Sequence, residues 1–240
     1  MDLPHRFAYR TYSAFIRQLR SNGLFHLWLF GYRPYPGSRI HGGYWDWTTL
    51  VLRDALRKHL TPEARFLDMG TGPVAALAIF AALRIKCKQV QAIDHLPDIV
   101  SSARNNADYL NANIQFTCSD LFSGTEGLFD VIAFNAPYMD LETGRSLGIL
   151  QDEQSEKRLS GGHGGGETIA RFLHDAPDHL SDNGLILLGV NHFHITRSTV
   201  LDLIARSNLE IVDRIDNPCK SVAYVLRCVR SQKCDKGLPK

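Results

Sequence analysis

Asn135-Ala136-Pro137-Tyr138 directly follows the apolar run Val131-Ile132-Ala133-Phe134 and holds the residue types that could grip a planar nitrogen. An asparagine carbonyl and the backbone carbonyl after it can accept the two N–H bonds of an amide or aromatic amine. Proline fixes φ and keeps the carbonyls aimed, and a tyrosine offers a flat face to stack on the planar group. A nitrogen held in this way has its lone pair directed at an electrophilic carbon placed in line. The same four residues also read as an Asx-Pro turn with a packed tyrosine.

A second cluster lies upstream. Phe66-Leu67-Asp68-Met69 runs into Gly70-Thr71-Gly72-Pro73, a strand feeding a glycine turn whose backbone a ligand can approach closely. Gly70, Gly72 and Ala75 satisfy the spacing of a dinucleotide-binding loop, and Asp94 lies at a distance suited to ribose hydroxyls. Pro73, however, removes one N–H from the helix start and Asp68 puts a carboxylate beside the turn, and both features disfavour a pyrophosphate. They suit S-adenosylmethionine, whose sulfonium and ammonium are cationic and which has no phosphate. Asp120, in Cys118-Ser119-Asp120-Leu121-Phe122, could accept from an adenine amino group. Taken singly, Asp68 and Asp120 are also ordinary turn or capping carboxylates.

The elements that must position these residues follow from periodicity. Strands are predicted at 66–69, 90–93, 114–117, 129–134, 185–190, 210–214 and 223–229, and helices at 44–59, 74–85, 98–110, 167–180 and 197–207. Alternating strands and helices imply a mostly parallel α/β sheet covered on both faces. Only Asp216 to Lys220 separates the last two strands, too short for a crossover, so they should pair antiparallel. Residues 1–43 read as a short helical segment broken at Pro34, Pro36 and Gly37, residues 44–230 as the main domain, and residues 231–240 as a frayed tail.

Several residues carry two readings. Tyr44-Trp45-Asp46-Trp47 could lid the site or pack the leading helix. His163, within Gly161-Gly162-His163-Gly164-Gly165-Gly166, could act on a mobile loop or simply face solvent. The charged stretch between Tyr138 and Gly166 reads as a loop, either a substrate wall or solvated charge. His192 and His194 lack the companions of a metal site, and no metal is assigned.

With 27 basic and 25 acidic residues the net charge is +2, too small for a dedicated nucleic-acid binder. Five widely spaced cysteines without a C-x-x-C pair indicate neither a disulfide framework nor zinc, and there is no signal-peptide or membrane-length apolar run. A soluble, cytoplasmic enzyme without a membrane partner is the expectation.

The ordered run Leu67-Asp68-Met69-Gly70-Thr71-Gly72, Ala92-Ile93-Asp94, Ala103-Arg104-Asn105-Asn106-Ala107, Ser119-Asp120-Leu121-Phe122, Phe129 through Tyr138, and Leu180-Ser181-Asp182-Asn183-Gly184-Leu185-Ile186-Leu187 resembles the HemK-type methyltransferases, which modify a release-factor glutamine at N5. The resemblance implies a seven-stranded, Rossmann-like class I methyltransferase fold with an antiparallel last strand. It implies S-adenosylmethionine bound by Asp68, Gly70, Thr71, Gly72, Asp94, His95, Asp120, Leu121 and Asn135. It carries the catalytic positions to Asn135, Pro137 and Tyr138. Ala136 departs from the usual Asn-Pro-Pro-Tyr, Val74 from a small residue, and the N-terminal segment is shorter than the family's factor-gripping domain. The expected activity is N-methylation of an amide or amine on a protein side chain, glutamine-like, or on a small molecule. A nicotinamide-dependent oxidoreductase, a nucleic-acid adenine methyltransferase and a non-catalytic binding module are the alternatives.

Overall fold

The computed structural model describes residues 18–37, 44–146 and 148–229, so the expectations for 1–17, 38–43 and the 231–240 tail lie outside the described residues. Along the chain these form α1 (Gly23–Phe30), α2 (Trp47–His59), β1 (Arg65–Met69), α3 (Ala76–Phe80), β2 (Gln89–Asp94), α4 (Pro97–Tyr109), β3 (Gln115–Cys118) and β4 (Phe129–Asn135). Then come α5 (Leu141–Ser146), α6 (Glu153–Leu159), α7 (Glu167–Asp175), β5 (Leu180–Asn191), α8 (Arg197–Ala205), β6 (Leu209–Asp216) and β7 (Ser221–Cys228).

Among the described residues seven strands make one sheet in the order β3-β2-β1-β4-β5-β7-β6. The first five in that order are parallel, and β7 runs antiparallel to both neighbours. The β6–β7 turn is short because the Asn217 side chain accepts from Cys219 N and Ser221 N, closing it locally. The chain leaves β1 toward one edge and returns beside it as β4. The crevice past the carboxyl ends of β1 and β4 is therefore the switch point where such sheets place ligands.

Strand alternation divides the core in two. From β4, Val131 and Ala133 join a cluster with α1, α2, α3 and α4, while Ile132 and Phe134 join one with α7 and α8. β1 is buried on both faces from Phe66 onward, as a central parallel strand requires.

Local departures have identifiable causes. The helix expected at 74–85 begins only at Ala76, because Ala75 is left-handed (φ +47°), and it ends in a π turn at Ala81–Ile85. The helix expected to reach Leu180 stops at Asp175 and becomes a 3-10 turn over Ala176–His179, where Pro177 has no N–H to continue it. β5 starts at Leu180 rather than Leu185, since Leu180 pairs with Phe129 before a register shift brings Leu185 opposite Val131. The stretch between Tyr138 and Gly166 is not all loop. It contains α5 and α6, joined by the Arg145–Glu156 ion pair at 2.6 Å, and α6 carries its own capping box at Asp152 and Ser155.

Two packing features bear on the site. β5 carries Gly189, opposite Asn135 of β4, and a Cβ there would come 2.5 Å from Leu52 Cδ1 and 2.7 Å from Thr48 Cγ2. The missing side chain lets the first turns of α2 lie directly on the sheet. On the N-terminal side, His26 is wholly buried, stacked on Phe30 at 4.4 Å and edge-on to Tyr32 and Tyr44. Its Nδ1 lies 3.1 Å from the Tyr32 carbonyl, which only accepts, so Nδ1 carries the proton and Nε2 is buried without a partner. Burial pushes the imidazole down to about 4, against a smaller upward pull from the Tyr32 carbonyl.

Gly189→Ala is expected to destabilise the fold by about 1–3 kcal/mol through overpacking; a urea midpoint equal to wild type would show that α2 yields instead. For His26, the unfolded chain takes up a proton below about pH 6.5 while the folded ring resists to about pH 4, so its contribution is lost as pH falls through that window. The stability difference between wild type and His26→Leu should therefore shift by about 3 kcal/mol from neutral pH to about pH 4, against wild type. The difference is the quantity to measure, because Asp68, raised to about 7, contributes with the opposite sign in the same window. A flat difference would contradict the buried neutral ring.

Candidate active site

The glycine turn after β1 is held from inside. Asp68 is 2% exposed, and its Oδ2 accepts from Thr71 Oγ1 at 2.7 Å and from Ala78 N at 3.1 Å. Burial raises this carboxyl to about 7, with the Thr71 and Ala78 bonds opposing and Asp94 adding to the rise. Gly70 and Gly72 both take positive φ. A Cβ on Gly70 would crowd the Phe134 ring at 3.1 Å, whereas one on Gly72 would meet nothing within 4 Å, leaving open space above the turn. The turn is tied to the end of β2 by Gly72 N to Asp94 Oδ2 at 3.2 Å and Thr71 N to the Ile93 carbonyl at 2.8 Å.

Asp94 is itself 8% exposed, accepts also from Leu96 N, and is raised by burial against those bonds. His95 is exposed, with Nδ1 3.5 Å from Asp94. From β2 the line continues to β3, where Ser119 N donates to the Asp94 carbonyl at 3.0 Å. Leu121 is buried at φ +47°, and Asp120 stands exposed with Arg171 at 2.7 Å. Asp68, Gly70, Thr71, Gly72, Asp94 and His95 thus form one connected rim. Asp120 lies at its outer end, engaged by a surface guanidinium.

This rim suits a cationic nucleoside without phosphate. An N–H in the first turn of α3, that of Ala78, is already taken by the Asp68 carboxylate, and Pro73 has none, so a pyrophosphate would lack the donors a helix start normally supplies. Two buried acids and an open space over Gly72 fit a cation bearing hydroxyls.

At the tip of β4, Asn135 Nδ2 faces Asp46, 3.4 and 3.3 Å from its two carboxylate oxygens. A carboxylate accepts and cannot donate, so the amino end of the amide is the end turned to Asp46. Tyr138 is pinned two residues farther along the same helix start. Thr48 Oγ1 donates to Ser221 Oγ at 3.2 Å, so the Tyr138 hydroxyl, 3.1 Å from Thr48 Oγ1, is the donor in that contact. Ser221 Oγ also accepts from Asn191 Nδ2 at 2.8 Å. Burial and the Asp46 charge raise the Tyr138 phenol above its ordinary value, against the Thr48 bond. The ring stacks on His194 at 6.0 Å and 15°, and burial lowers that imidazole.

The glycine-rich segment braces the tetrapeptide from behind. A Cβ on Gly161 would sit 2.6 Å from the Pro137 carbonyl oxygen, and one on Gly165, at φ +71°, would collide with that of Tyr138. Gly161 N donates to the Met139 carbonyl at 2.9 Å, Leu141 N to the Gly162 carbonyl at 3.3 Å, and Gly164 N to Asp140 Oδ2 at 2.9 Å. His163 is exposed on the outside of this brace.

The structure adds residues that sequence reasoning did not single out as site residues: Asp46, Thr48, Ser221, Asn191, and Asn106. The last is fully buried, donating to the Val74 carbonyl at 2.6 Å and accepting from Tyr35 N at 2.7 Å. Tyr32 reaches the same place, donating to the Ala76 carbonyl at 2.9 Å. Tyr44 and Trp45 are buried in the core and the half-buried Trp47 packs against it, as the packing alternative for Trp47 has it. Among the described residues no group of three His, Cys, Asp or Glu is placed to hold a metal ion, and no helix is long and apolar enough to cross a membrane.

Known proteins resemble this chain in the same region. Residues 42–152 match the model of the methyltransferase small domain. The ribosomal protein uL3 glutamine methyltransferase of Bordetella pertussis is 36% identical over 134 residues, covering 53% of this chain and 44% of that protein. The release factor glutamine methyltransferase of Bacillus cereus is 27% identical over 176 residues, covering 70% and 62%. The chain spans about half the length of the relatives it matches. In fold, it resembles the ribosomal protein L11 methylase of Lactobacillus delbrueckii subsp. bulgaricus, with a TM-score of 0.61 at 17% identity, covering 82% of this chain and 84% of that one. A methyltransferase of Pyrococcus furiosus superposes with a TM-score of 0.54 at 22% identity, covering 74% and 81%. The chain therefore has the class I, Rossmann-like methyltransferase fold, its residues 42–152 are similar to the methyltransferase small domain, and proteins named as glutamine methyltransferases are among its relatives.

Proposed function

We propose that this chain is an S-adenosylmethionine-dependent N-methyltransferase whose acceptor is the side-chain amide of a glutamine in a protein. The observation that carries the reading is the oriented Asn135 amide at the tip of β4, amino end to Asp46, beside a tyrosine pinned at its hydroxyl. The names of the uL3 and release factor glutamine methyltransferases support the acceptor class. Asp68, Gly70, Thr71, Gly72, Asp94, His95, Asp120 and Leu121 would hold the donor, which when bound supplies a methyl group on a cationic sulfur. The unpaired thiols of Cys87, Cys118 and Cys219 support a reducing compartment such as the cytosol.

The work of the protein is alignment. Asn135 accepts one acceptor N–H through its amide oxygen, the backbone carbonyl after it accepts the other, and Pro137 keeps the turn rigid. The Tyr138 face stacks on the planar amide while its hydroxyl stays on Thr48. An amide nitrogen becomes strongly acidic as it gains a fourth bond, so its proton leaves to water or to an accepting carbonyl and no dedicated base is required. His194, kept neutral by burial, adds no positive charge beside a nitrogen that is itself becoming positive.

Asn135→Ala is expected to lower kcat for methyl transfer to a glutamine-bearing peptide by about 10²–10³-fold with donor affinity nearly unchanged, because the contact matters most in the transition state. Tyr138→Phe should keep most activity and Tyr138→Ala should not. Wild-type turnover in a folded, donor-bound Asn135→Ala variant would remove the tetrapeptide from the chemistry. Asp68, titrating at about 7, attracts a cation only when ionised, so donor affinity should rise with pH through neutrality. Measured calorimetrically as the ratio of wild type to Asp68→Asn, the gain from about pH 6 to about pH 8 should be about tenfold. A constant ratio would leave Asp68 only its role in holding the turn.

A further inference from the structure

The side-chain amide of an asparagine has nearly the same shape in its two flipped orientations, yet the two present opposite chemistry. In one, Asn135 offers an oxygen to the acceptor nitrogen; in the other it offers a second N–H, which no amide or amine hydrogen can bond. Something must choose. We infer that Asp46 is the positioning residue that makes this choice, an inference that rests on the proposed transfer to an amide nitrogen.

Asp46 is suited to the task because it is itself unable to turn. It is the N-cap of the thirteen-residue helix α2, and its Oδ1 accepts from Thr49 N at 2.6 Å and Thr49 Oγ1 at 2.8 Å. Its own backbone N donates back to Thr49 Oγ1 at 3.2 Å, closing a capping box. What remains facing Asn135 is a fixed surface of two acceptor oxygens, at 3.3 and 3.4 Å from Nδ2. The flipped amide would set its carbonyl oxygen against both of them. With the amino group held on that side, the amide oxygen diverges from it on the same planar carbon, away from Asp46. One carboxylate thus closes a helix and orients a site residue 89 positions away. The helix start is seated by Asn217 Nδ2 on the Trp47 carbonyl at 3.1 Å and by Thr48 on Ser221 at 3.2 Å, so the positioning surface is anchored to the β6–β7 turn and to β7.

The two functions of Asp46 are separable by substitution. Asp46→Asn keeps an oxygen for the cap, and asparagine caps helices as well as aspartate does. It now turns an N–H toward Asn135, which favours the flipped amide. Asp46→Ser also keeps a cap but leaves the amide undirected. The exchange variant, Asp46→Asn with Asn135→Asp, restores a donor facing an acceptor with the polarity reversed, and leaves the second carboxylate oxygen at position 135 able to accept from the substrate.

The expected order of kcat on a glutamine-bearing peptide is wild type, then Asp46→Ser, then Asp46→Asn, the last lower than wild type by about a hundredfold with thermal midpoint and donor affinity held. The exchange variant should regain about tenfold over Asp46→Asn. A residue that merely capped a helix would give equal activity in Asn and Ser variants and no gain on exchange, and either result overturns the inference. A readout independent of activity is the solvent exchange of the Asn135 side-chain NH2 in 15N–1H NMR, expected to be slow in wild type and fast in Asp46→Asn. Equal exchange in the two overturns the inference. Slow exchange lost on Asp46→Asn, in a protein that transfers no methyl to glutamine, would uphold the orientation by Asp46 while rejecting the glutamine reading.

Discussion

The approach of α2 to the sheet is the constraint on which the Asn135–Tyr138 half of the candidate site depends, and it is made possible by an absent side chain. Gly189 leaves room on β5 for Leu52 and Thr48, both buried, and so the start of the helix reaches the strand ends. Were the helix an ångström or two higher, Asp46 could not meet Asn135 and Thr48 could not meet Tyr138. The polar chain from Tyr138 through Thr48 and Ser221 to Asn191 is satisfied at each link in a region almost without solvent, and such networks resist rearrangement because a broken link leaves a buried group unpaired. Rigidity of this kind is what a site that works by alignment requires.

The half around the Gly70–Gly72 turn is built on a different principle. There a turn of glycines stands open above Gly72, and the protein stiffens it from below and behind with Asp68, Asn106 and Tyr32. Asp68 serves two ends at once. Its hydrogen bonds hold the turn, and its burial makes its charge responsive to a nearby cation. The buried carboxylate occupies the first-turn N–H of Ala78 that a phosphate would otherwise seek, so in the proposed function the residue suited to a positive ligand also disfavours a dianion. Ala75, a non-glycine in a left-handed conformation next to this turn, is a point of local strain, of the sort that concentrates at functional sites.

Behind the tetrapeptide, the segment 161–166 is glycine-rich for a steric reason. Gly161 and Gly165 lie against the carbonyls of Pro137 and Tyr138 with no room for a methyl group, which makes the segment a brace for the Asn135–Tyr138 turn. Together with α5 and α6 it gives the region after β4 more built structure than its charge-rich composition suggests.

What could be read from the sequence is what short stretches of chain encode on their own. The Gly70–Gly72 turn, the Asn135–Tyr138 tetrapeptide and the acids at strand ends each lie within a few contiguous residues, the mostly parallel sheet was expected from the alternation of β-rich and helical runs, and the antiparallel pairing of the last two strands from the short Asp216–Lys220 link. Even locally the reading had limits. Alanine is the best helix former, yet Ala75 is left-handed because the turn geometry overrides propensity, and the strand expected from Leu185 instead begins at Leu180 and continues through a register shift. The partners that orient the site were not legible at all. Asp46 and Asn135 are 89 residues apart, Thr48 and Tyr138 are 90, and Thr48 and Ser221 are 173. In the sequence Asp46 is a helix cap between two tryptophans and Ser221 is an unremarkable strand residue. Only the folding of α2 across β4, β5 and β7 brings their hydrogen-bonding atoms together, because those contacts are set by the depth of packing over Gly189, a distance that no local pattern of residues records.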